Sequence, residues 1–551
     1  MNPKRILLFA SIITFSFFMG AVLVKDSITK EAIKYAEGII GLEFTDAERD
    51  TMIGDLEDLQ KDYETIRKLN IQNNTPPAIL FNPIPVGKKF NFGPKTFKLS
   101  SYKNVKLPED INQLAFYSIG ELAELIRTKK ITSEKLTSFY LERLNKFDPA
   151  LHCVITLTED YALRKAKEAD REIAAGKYKG VLHGIPFGVK DLLATKNFKT
   201  TWGSVPYKDQ IIDEDATVLQ RLEEAGGILC AKFTMGELAM DDVWFGGMTR
   251  NPWDTTQGSS GSSAGSAAAV SGGLIPYAIG TETWGSIISP ATVCGTTGLR
   301  PTYGRVSRTG AMALSWSMDK IGAITRTAED CAIVFNAIYG PDGIDQTLYD
   351  YPFNYSPEIN LKNVKIGYLK SEFDKQYDFK TNDSLFLKTL KDAGAVLIPI
   401  ELPKLPINEI SFILSTESAA AFDELTRSNK DDLMIRQTKN DWPNTFRARR
   451  FVPAVEYINA NRIRFMLIQE MEKIFQKVDL YIAPSWEGDN LLLTNLTGHP
   501  AMVFPTGFSD KGLPQSISII GDLFQEGKII SLAKKFQSLT DFHKKHPQLF
   551  L

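Results

Sequence analysis

A run of small residues, GSSGSSAGSAAAVSGG at positions 258–273, restricts the folding of this chain more than any other segment. Glycine, serine and alanine fill every position of the run except Val270. Such a composition is typical of a flexible linker, but here it leads directly into an apolar stretch, LIPYAIG, and a second loop of small residues, GTETWGS. This order predicts a loop, a short helix, a strand and another loop, whose glycines would let backbone amides approach a ligand closely.

Helical and short apolar segments alternate along the chain before this run. Residues 159–175 and 217–225 have a helical pattern, whereas residues 185–189 and 228–231 are short apolar runs. An earlier helix is predicted to end before Pro149. Alternation of this kind predicts an α/β fold in which helices flank a central sheet.

The first 24 residues have the character of a targeting segment. Lys4 and Arg5 precede residues 6–24, a stretch of 19 residues without a charge. Secretory signal cores have about 7–15 apolar residues and membrane-spanning helices about 20, so this length fits either a cleaved signal peptide or a retained N-terminal membrane anchor. Both alternatives predict an exported protein, in the periplasm or elsewhere outside the cytoplasm, with membrane attachment through residues 6–24 where the segment is retained.

Residues 25–112 are predicted to form an accessory region, a helical extension followed by an irregular strap. Thr45 and Glu48 form a capping-box pattern at the start of a helix, and Pro76 and Pro77 end the helical pattern. The sequence leaves open whether this helix covers the main body, forms a contact between copies in a homodimer, or lies near the active site.

Composition and motif content exclude several classes of function. The chain has 64 Lys+Arg against 66 Asp+Glu, so no overall positive charge attracts nucleic acid. Its 4 cysteines form no CxxC pair and its 5 histidines no HExxH motif, which argues against a metal site. No lysine follows the glycine-rich loops in the way a Walker A motif requires, so neither a metal nor a phosphate-bearing cofactor is expected.

Two serine motifs offer rival nucleophiles. Residues 261–265 match the G-x-S-x-G elbow of α/β-hydrolases, which would make Ser263 the nucleophile. That elbow needs a histidine base and a strand immediately before it, and the preceding residues DTTQ do not predict a strand. Residues 317–320 match S-x-x-K, but the chain contains neither SDN nor KTG, the partner motifs of penicillin-binding proteins.

A buried lysine is another way to activate a serine, because burial lowers the lysine pKa. Lys190 ends the run GIPFGVKD, at the carboxyl end of a predicted strand, where α/β folds tend to have their sites. Taken alone, Lys190 next to Asp191 would more often be a surface ion pair.

Four segments in their order along the chain, GIPFGVKD, GSSAGSAAA, GTETWGSIISPA and GLRPTYGRVSRTG, resemble the amidase signature family of serine hydrolases. TRNPWD and NLTGHPAMVFPTGF extend the likeness, so we expect one amidase signature domain over residues 113–548. The resemblance implies a mostly mixed, twisted sheet flanked by helices.

The resemblance also implies a Ser-Ser-Lys triad made of Lys190, Ser262 and Ser286. In this scheme neutral Lys190 takes a proton through Ser262, whose preceding peptide bond is cis in the family, and Ser286 attacks the amide carbonyl. Backbone amides of Thr283, Trp284, Gly285 and Ser286 would hold the oxyanion. The implied reaction is hydrolysis of a carboxamide to a carboxylate plus ammonia or an amine, through an acyl-enzyme.

The chain departs from the commoner family pattern at several positions. Glu282 and Trp284 stand where aspartate and glycine are common, and Thr234 replaces a frequent asparagine. Ile288 and Ser289 occupy a stretch where many members carry an arginine, so a partner for a substrate carboxylate is absent from it. These departures favour an uncharged small-molecule amide or an amidated peptide as substrate, with no nucleic-acid partner.

Two alternatives to the amidase remain. One is a glutamyl-tRNA amidotransferase A-type subunit, which would need cytoplasmic residence and companion subunits. The other is a non-catalytic binding protein on the same fold, which the three intact triad positions disfavour.

Overall fold

We describe a computed structural model of the chain, which covers residues 28–69 and 71–551. The predicted targeting segment, residues 1–24, lies outside the described residues. Most strands belong to one large sheet and the others to two short ribbons. In chain order the strands are β1 (Val154–Leu157), β2 (Pro186–Lys190), β3 (Ile228–Phe233), β4 (Val243–Trp244), β5 (Gly247–Met248), β6 (Arg250–Asn251), β7 (Asp254–Gly258), β8 (Ala278–Glu282), β9 (Thr297–Arg300), β10 (Lys320–Thr325), β11 (Ile366–Leu369), β12 (Leu397–Ile400), β13 (Leu480–Pro484), β14 (Ala501–Phe508) and β15 (Pro514–Gly521).

The α-helices surround this sheet or lie in the N-terminal part of the chain. In chain order they are α1 (Lys30–Ile40), α2 (Asp46–Arg67), α3 (Ile119–Arg127), α4 (Ser133–Leu151), α5 (Glu159–Ala174), α6 (Thr217–Glu224), α7 (Ala264–Ser271), α8 (Ile288–Cys294), α9 (Ala328–Ile338), α10 (Lys370–Asp374), α11 (Lys380–Asp392), α12 (Phe412–Ala421), α13 (Asp423–Arg427), α14 (Trp442–Arg449), α15 (Ala454–Phe475), α16 (Asn490–Thr497) and α17 (Glu526–Leu539).

The large sheet has eleven strands in the order β1-β3-β2-β8-β10-β9-β14-β15-β13-β11-β12. It is mixed, because β2 runs parallel to β3 and β8 whereas β10 pairs antiparallel with both β8 and β9. Strands β2, β3, β8 and β10 are buried along their whole length. The predicted α/β fold with a mixed, helix-flanked sheet is confirmed.

The small-residue run forms the buried helix α7 rather than a linker. Every residue of α7 is buried, and the Ser266 hydroxyl donates to the Ile279 carbonyl of β8. A Cβ on Gly265 would come within 2.3 Å of the Cys153 carbonyl oxygen. Small side chains are therefore what allows this helix to lie so close to neighbouring backbone.

The described chain divides into two compact units. One comprises the described residues up to Gln72 together with Phe451–Pro453, and the other comprises Asn73–Arg450 and Ala454–Leu551. In the smaller unit, helix α1 ends at Gly41 in a left-handed conformation, with φ of 68°. The Arg49 guanidinium of α2 binds the Glu37 carboxylate of α1, and the predicted Thr45–Glu48 capping box is present.

Two sequence predictions about local structure were wrong. Helix α4 continues past Pro149 to Leu151, although a break before the proline was expected. Residues Asp254–Gly258 form strand β7, although DTTQ predicted none; β7 pairs with β6 in a ribbon apart from the large sheet. Among the helices of residues 28–69 and 71–551, none is both long and apolar enough to cross a bilayer.

Candidate active site

Lys190 is the last residue of β2 and is fully buried. Its Nζ contacts three hydroxyl oxygens: Ser262 Oγ at 2.7 Å, Thr281 Oγ1 at 3.0 Å and Ser263 Oγ at 3.2 Å. The strand β2 lies next to β8, which carries Thr281, and the serines lie at the start of α7. The sheet order therefore brings a lysine and two serines together in the protein interior.

Burial lowers the pKa of Lys190 to about 7, although the negative charges of Asp319 and Glu282 act to raise it. The surface ion pair that Lys190 and Asp191 would form if taken alone is absent from the described residues. Asp191 is itself buried and binds Lys232 of β3 at 3.0 Å. A substantial fraction of Lys190 is consequently neutral near pH 7, and a neutral amine can accept a proton.

Ser262 precedes α7 and is buried except for about 1% of its surface. The peptide bond between Gly261 and Ser262 is cis, as the resemblance implied. A side chain at Gly261 would collide with backbone, because a Cβ there would lie 1.8 Å from the Asp241 carbonyl oxygen. Glycine is thus the residue that this backbone path accepts.

Ser286 lies in the loop between β8 and α8, and its carbonyl accepts a hydrogen bond of 3.2 Å from the Ser263 amide. This bond links the loop between β8 and α8 to the start of α7. The Ser286 hydroxyl forms no hydrogen bond with residues 28–69 and 71–551. Of the three predicted triad residues, Lys190 and Ser262 are in direct contact and Ser286 lies beside them through this backbone link.

The backbone amides predicted to hold the oxyanion lie in the loop that contains Ser286. The amides of Trp284, Gly285 and Ser286 donate to no acceptor within the part of the chain that the structure describes. The Thr283 hydroxyl donates to Asp319 Oδ1 at 2.6 Å, and Asp319 Oδ2 accepts from the Leu314 amide at 2.8 Å. Asp319 thereby fixes the start of the loop through the Thr283 side chain and engages none of the loop amides.

Glu282 braces the same loop from inside the protein. Its Oε2 accepts the Ile287 and Ile288 amides, each at 2.9 Å, at the start of α8. Its Oε1 binds Arg300 at 2.7 Å and the Asn495 side chain at 2.8 Å. Burial raises the pKa of Glu282, but the Arg300 charge and these hydrogen bonds outweigh burial and hold the pKa at about 2.

Ser263 and Ser317, the serines of the other two motifs, form hydrogen bonds that link parts of the structure. The Ser263 hydroxyl donates to the Thr281 carbonyl and accepts from the Thr281 amide, each at 3.1 Å, so it ties α7 to β8. The Ser317 hydroxyl donates to Glu417 at 2.6 Å and accepts from Arg464 at 2.7 Å. Lys320, the lysine of S-x-x-K, instead donates to the Met318 carbonyl.

Of the positions that depart from the family pattern, Trp284 is exposed and the others are buried or partly buried. Trp284 is 45% exposed, so it stands at the surface of the loop rather than inside it. Ile288 is buried and Ser289 is partly buried. Thr234 is buried, and its hydroxyl shares a hydrogen bond of 2.7 Å with the Thr249 hydroxyl, which makes it a structural link.

A cavity of about 570 Å³ opens beside Thr281 and Thr283. Apolar side chains of the body make up much of its wall: Leu192, Met312, Leu314, Trp316, Ile321 and Ile344. The two cations in the wall are engaged, since Arg308 binds Asp345 at 3.1 Å and Lys320 binds a carbonyl. The cavity is therefore suited to an uncharged, apolar group.

Thr281, Ser263, Asp319 and the Glu282–Arg300–Asn495 cluster were not predicted as parts of the site. All six lie inside segments that were noted for other reasons: the small-residue run, GTETWGS, the S-x-x-K match, GLRPTYG and NLTGHP. Their roles depend on which strands are neighbours, and residue spacing does not show this.

Three comparisons with known proteins show what the chain is similar to. A family model described as Amidase matches residues 135–489. The A-type subunit of glutamyl-tRNA(Gln) amidotransferase from Coxiella burnetii (strain RSA 493 / Nine Mile phase I) is 34% identical over 483 residues, covering 78% of this chain and 99% of the relative.

Two solved structures are similar over most of the chain. Native peptide amidase from Stenotrophomonas maltophilia has a TM-score of 0.70 and 28% identity, covering 78% of this chain and 98% of that one. A bacterial aryl acylamidase has a TM-score of 0.71 over 78% of this chain and 98% of its own, but its 23% identity supports the fold alone. The residues matched by the family model include Lys190, Ser262 and Ser286.

Proposed function

The chain belongs to the amidase signature family, and we propose that it hydrolyses an uncharged carboxamide through an acyl-enzyme on Ser286. The observation that carries this proposal is the 2.7 Å contact between the buried Lys190 amine and the Ser262 hydroxyl. A lysine with a pKa of about 7 can act as a general base near neutral pH without a histidine.

The reaction proceeds by a proton relay. Neutral Lys190 takes the Ser262 proton, Ser262 takes the Ser286 proton, and Ser286 Oγ forms a bond to the amide carbonyl carbon. The amides of Trp284, Gly285 and Ser286 stabilise the resulting oxyanion, because donors fixed before the reaction need no reorganisation.

The second half of the reaction releases the acyl group. A proton returns from Lys190 through Ser262 to the departing nitrogen, the C–N bond breaks, and ammonia or an amine leaves. Water then attacks the acyl-enzyme with the same groups acting as base, which yields the carboxylate and restores the Ser286 hydroxyl.

An amidotransferase A-type subunit is the second candidate function, and the 34% identity to the Coxiella burnetii relative favours it. The charge arrangement of the cavity favours the uncharged amide, since Arg308 and Lys320 already have partners there. The two candidates share the serine chemistry and differ in substrate and partners.

A substrate panel with the purified chain separates the candidates. Ammonia release is measured from a C-terminally amidated peptide, an aliphatic primary amide and L-glutamine, and Ser286→Ala and Ser262→Ala serve as controls. We expect release from the two uncharged amides, fluorophosphonate labelling at Ser286, and a loss of at least about a thousandfold in kcat for Ser286→Ala.

Each contrary result has a definite meaning. Ammonia release from glutamine alone would favour the amidotransferase function. An unlabelled Ser286 together with no release from any amide would favour the non-catalytic binding protein.

We also propose that the chain is exported, on the strength of the charge-free residues 6–24 alone. Cell fractionation combined with N-terminal sequencing of the mature protein tests this. A purely cytoplasmic protein with an intact N-terminus would refute export, whereas an intact N-terminus in the membrane fraction would favour the anchor over the cleaved signal.

A further inference from the structure

One wall of the cavity beside Thr281 and Thr283 comes from a segment that lies outside the residues matched by the family model. This segment, which we name the strap, comprises residues 74–80, and all of its positions except Thr75 line the cavity. Its sequence, NTPPAIL, ends in two large apolar residues. Ile79 is 86% exposed and Leu80 is 44% exposed, so both side chains lack the burial that such residues normally have.

The strap is attached firmly at its two ends. At the first end the Asn73 side chain donates to the Ala313 carbonyl at 2.9 Å and the Ala421 carbonyl at 3.2 Å, and accepts from the Ala313 amide at 2.8 Å. At the second end the Phe81 ring packs edge-on against Tyr303, with centroids 5.0 Å apart, and lies under the Arg464 guanidinium.

Between these ends the strap has no hydrogen bonds to the part of the chain that the structure describes. Pro76 and Pro77 restrict its backbone and remove two amide donors, so the segment follows an irregular course without a ladder of hydrogen bonds. Its position is set by its attachments, and the side chains of Ile79 and Leu80 stay exposed.

The opposite wall connects the strap to the reacting groups. Thr281 contacts Lys190 at 3.0 Å, and Thr283 begins the loop that supplies the oxyanion donors. Leu192 follows the lysine by two positions and lines the same cavity. The cavity therefore borders one contact of Lys190, Thr281, and the first residue of the loop that carries Ser286, Thr283.

We propose that the strap is a specificity-determining wall, in which Ile79 and Leu80 contact an extended apolar acyl group of the substrate. The inference rests on the proposed amidase function. It identifies the substrate class as amides of long apolar acids, because much of the remaining wall is apolar and its two cationic side chains, Arg308 and Lys320, are already engaged. Primary amides suit the test, since their only large group is on the acyl side.

The test compares kcat/KM for octanamide and for propanamide. The wild-type protein is expected to favour octanamide by about tenfold or more, the discrimination that apolar pockets give for added methylenes. Ile79→Ser/Leu80→Ser should reduce that ratio by about tenfold, mainly through a higher KM for octanamide. Ile79→Leu/Leu80→Met keeps apolar side chains at both positions and should preserve the ratio.

Two further variants guard against indirect effects. Val396→Ser changes an apolar residue that is 67% exposed and distant in the fold from the cavity wall, and it should change neither rate. Asn73→Ala removes three hydrogen bonds at one attachment and should raise the KM for octanamide without lowering the melting temperature by more than a few degrees.

The results separate failure of this inference from failure of the proposed function. Hydrolysis of both amides without a preference for octanamide, or a preference that survives Ile79→Ser/Leu80→Ser, would overturn the role of the strap while leaving the amidase intact. Absence of hydrolysis together with an unlabelled Ser286 in the wild-type protein would overturn the function itself.

Discussion

Strands β2 and β3 lie side by side, and each buries a lysine near its carboxyl end, but the two lysines meet different partners. Lys232 of β3 binds the buried Asp191 carboxylate at 3.0 Å and donates to the Lys199 carbonyl at 2.8 Å. Lys190 of β2 contacts only hydroxyl oxygens of Ser262, Ser263 and Thr281.

This comparison separates two effects on the pKa of a lysine, that of burial and that of a neighbouring negative charge. Burial lowers the pKa of both lysines, and in Lys232 the adjacent Asp191 charge opposes that effect. At Lys190 the nearest carboxylates, Asp319 and Glu282, act from a distance and leave the pKa at about 7. Lys190 among hydroxyls is thus able to accept a proton, as the proposed mechanism requires, whereas Lys232 forms an ion pair with Asp191.

The largest expected effect is on catalysis when Lys190 is removed. Lys190→Met keeps an unbranched, buried side chain but has no amine to accept a proton, so kcat should fall by at least about a thousandfold. Thermal unfolding should be unchanged or shifted upward, because the buried amine is no longer desolvated. A Lys190→Met protein that retains more than a tenth of wild-type kcat would remove Lys190 from the mechanism.

The matched change at the neighbouring strand should affect stability instead. Lys232→Met leaves the Asp191 carboxylate buried without its cation, which should cost about 3–5 kcal/mol in the free energy of unfolding, measured by urea titration. The double variant Asp191→Asn/Lys232→Met should recover part of that loss because no unpaired charge remains. Equal stability of Lys232→Met and the wild type would show that the ion pair contributes little.

The pH dependence of kcat/KM should report the lysine on β2. Below its pKa Lys190 is protonated and cannot accept the Ser262 proton, so the rate should fall with decreasing pH below about 7 and level off above it. The measurement is a pH profile with an uncharged amide, whose own ionisation does not change in this range. A rate that is flat from pH 5 to about pH 9 would contradict a lysine base.

The smallest expected effect comes from removing one distant charge. Asp319 raises the pKa of Lys190, so Asp319→Asn should lower that pKa and move the acid limb of the profile to lower pH. The asparagine carbonyl can still accept from the Thr283 hydroxyl, which keeps that contact of the loop, but the asparagine amide group loses the hydrogen bond from the Leu314 amide. A shift in the opposite direction would mean that Asp319 acts on the loop geometry rather than through its charge.

Local patterns were sufficient to predict much of the fold. The capping box at Thr45 starts helix α2, and the apolar runs became the buried strands β2 and β3. These elements follow from short-range hydrogen bonds and from hydrophobic periodicity. The proline in α4 shows a limit of such rules, because tertiary packing carries that helix past Pro149.

The candidate site was predicted only in part, because its residues come from separate strands. The motif order predicted Lys190, and the structure puts it in contact with Ser262. The contact with Thr281 and the charge of Asp319 depend on β2, β8 and β10 being neighbours. Pro76 and Pro77 were expected only to end a helical pattern, and the position of residues 74–80 on the cavity wall depends on Asn73 bonds to residues more than two hundred positions away.

The group of hydrogen bonds that Glu282 forms with Ile287, Ile288, Arg300 and Asn495, which we call the brace, also bears on the timing of synthesis. Asn495, which holds the Glu282 carboxylate, follows it by 213 positions in the chain. At ribosomal rates of about 5–20 residues per second, the brace therefore lacks this partner for roughly 10–40 s after Glu282 is made. During that interval Glu282 has its other partners, the Ile287 and Ile288 amides and Arg300, within 18 positions of it, so the brace is completed only after residue 495 has been made.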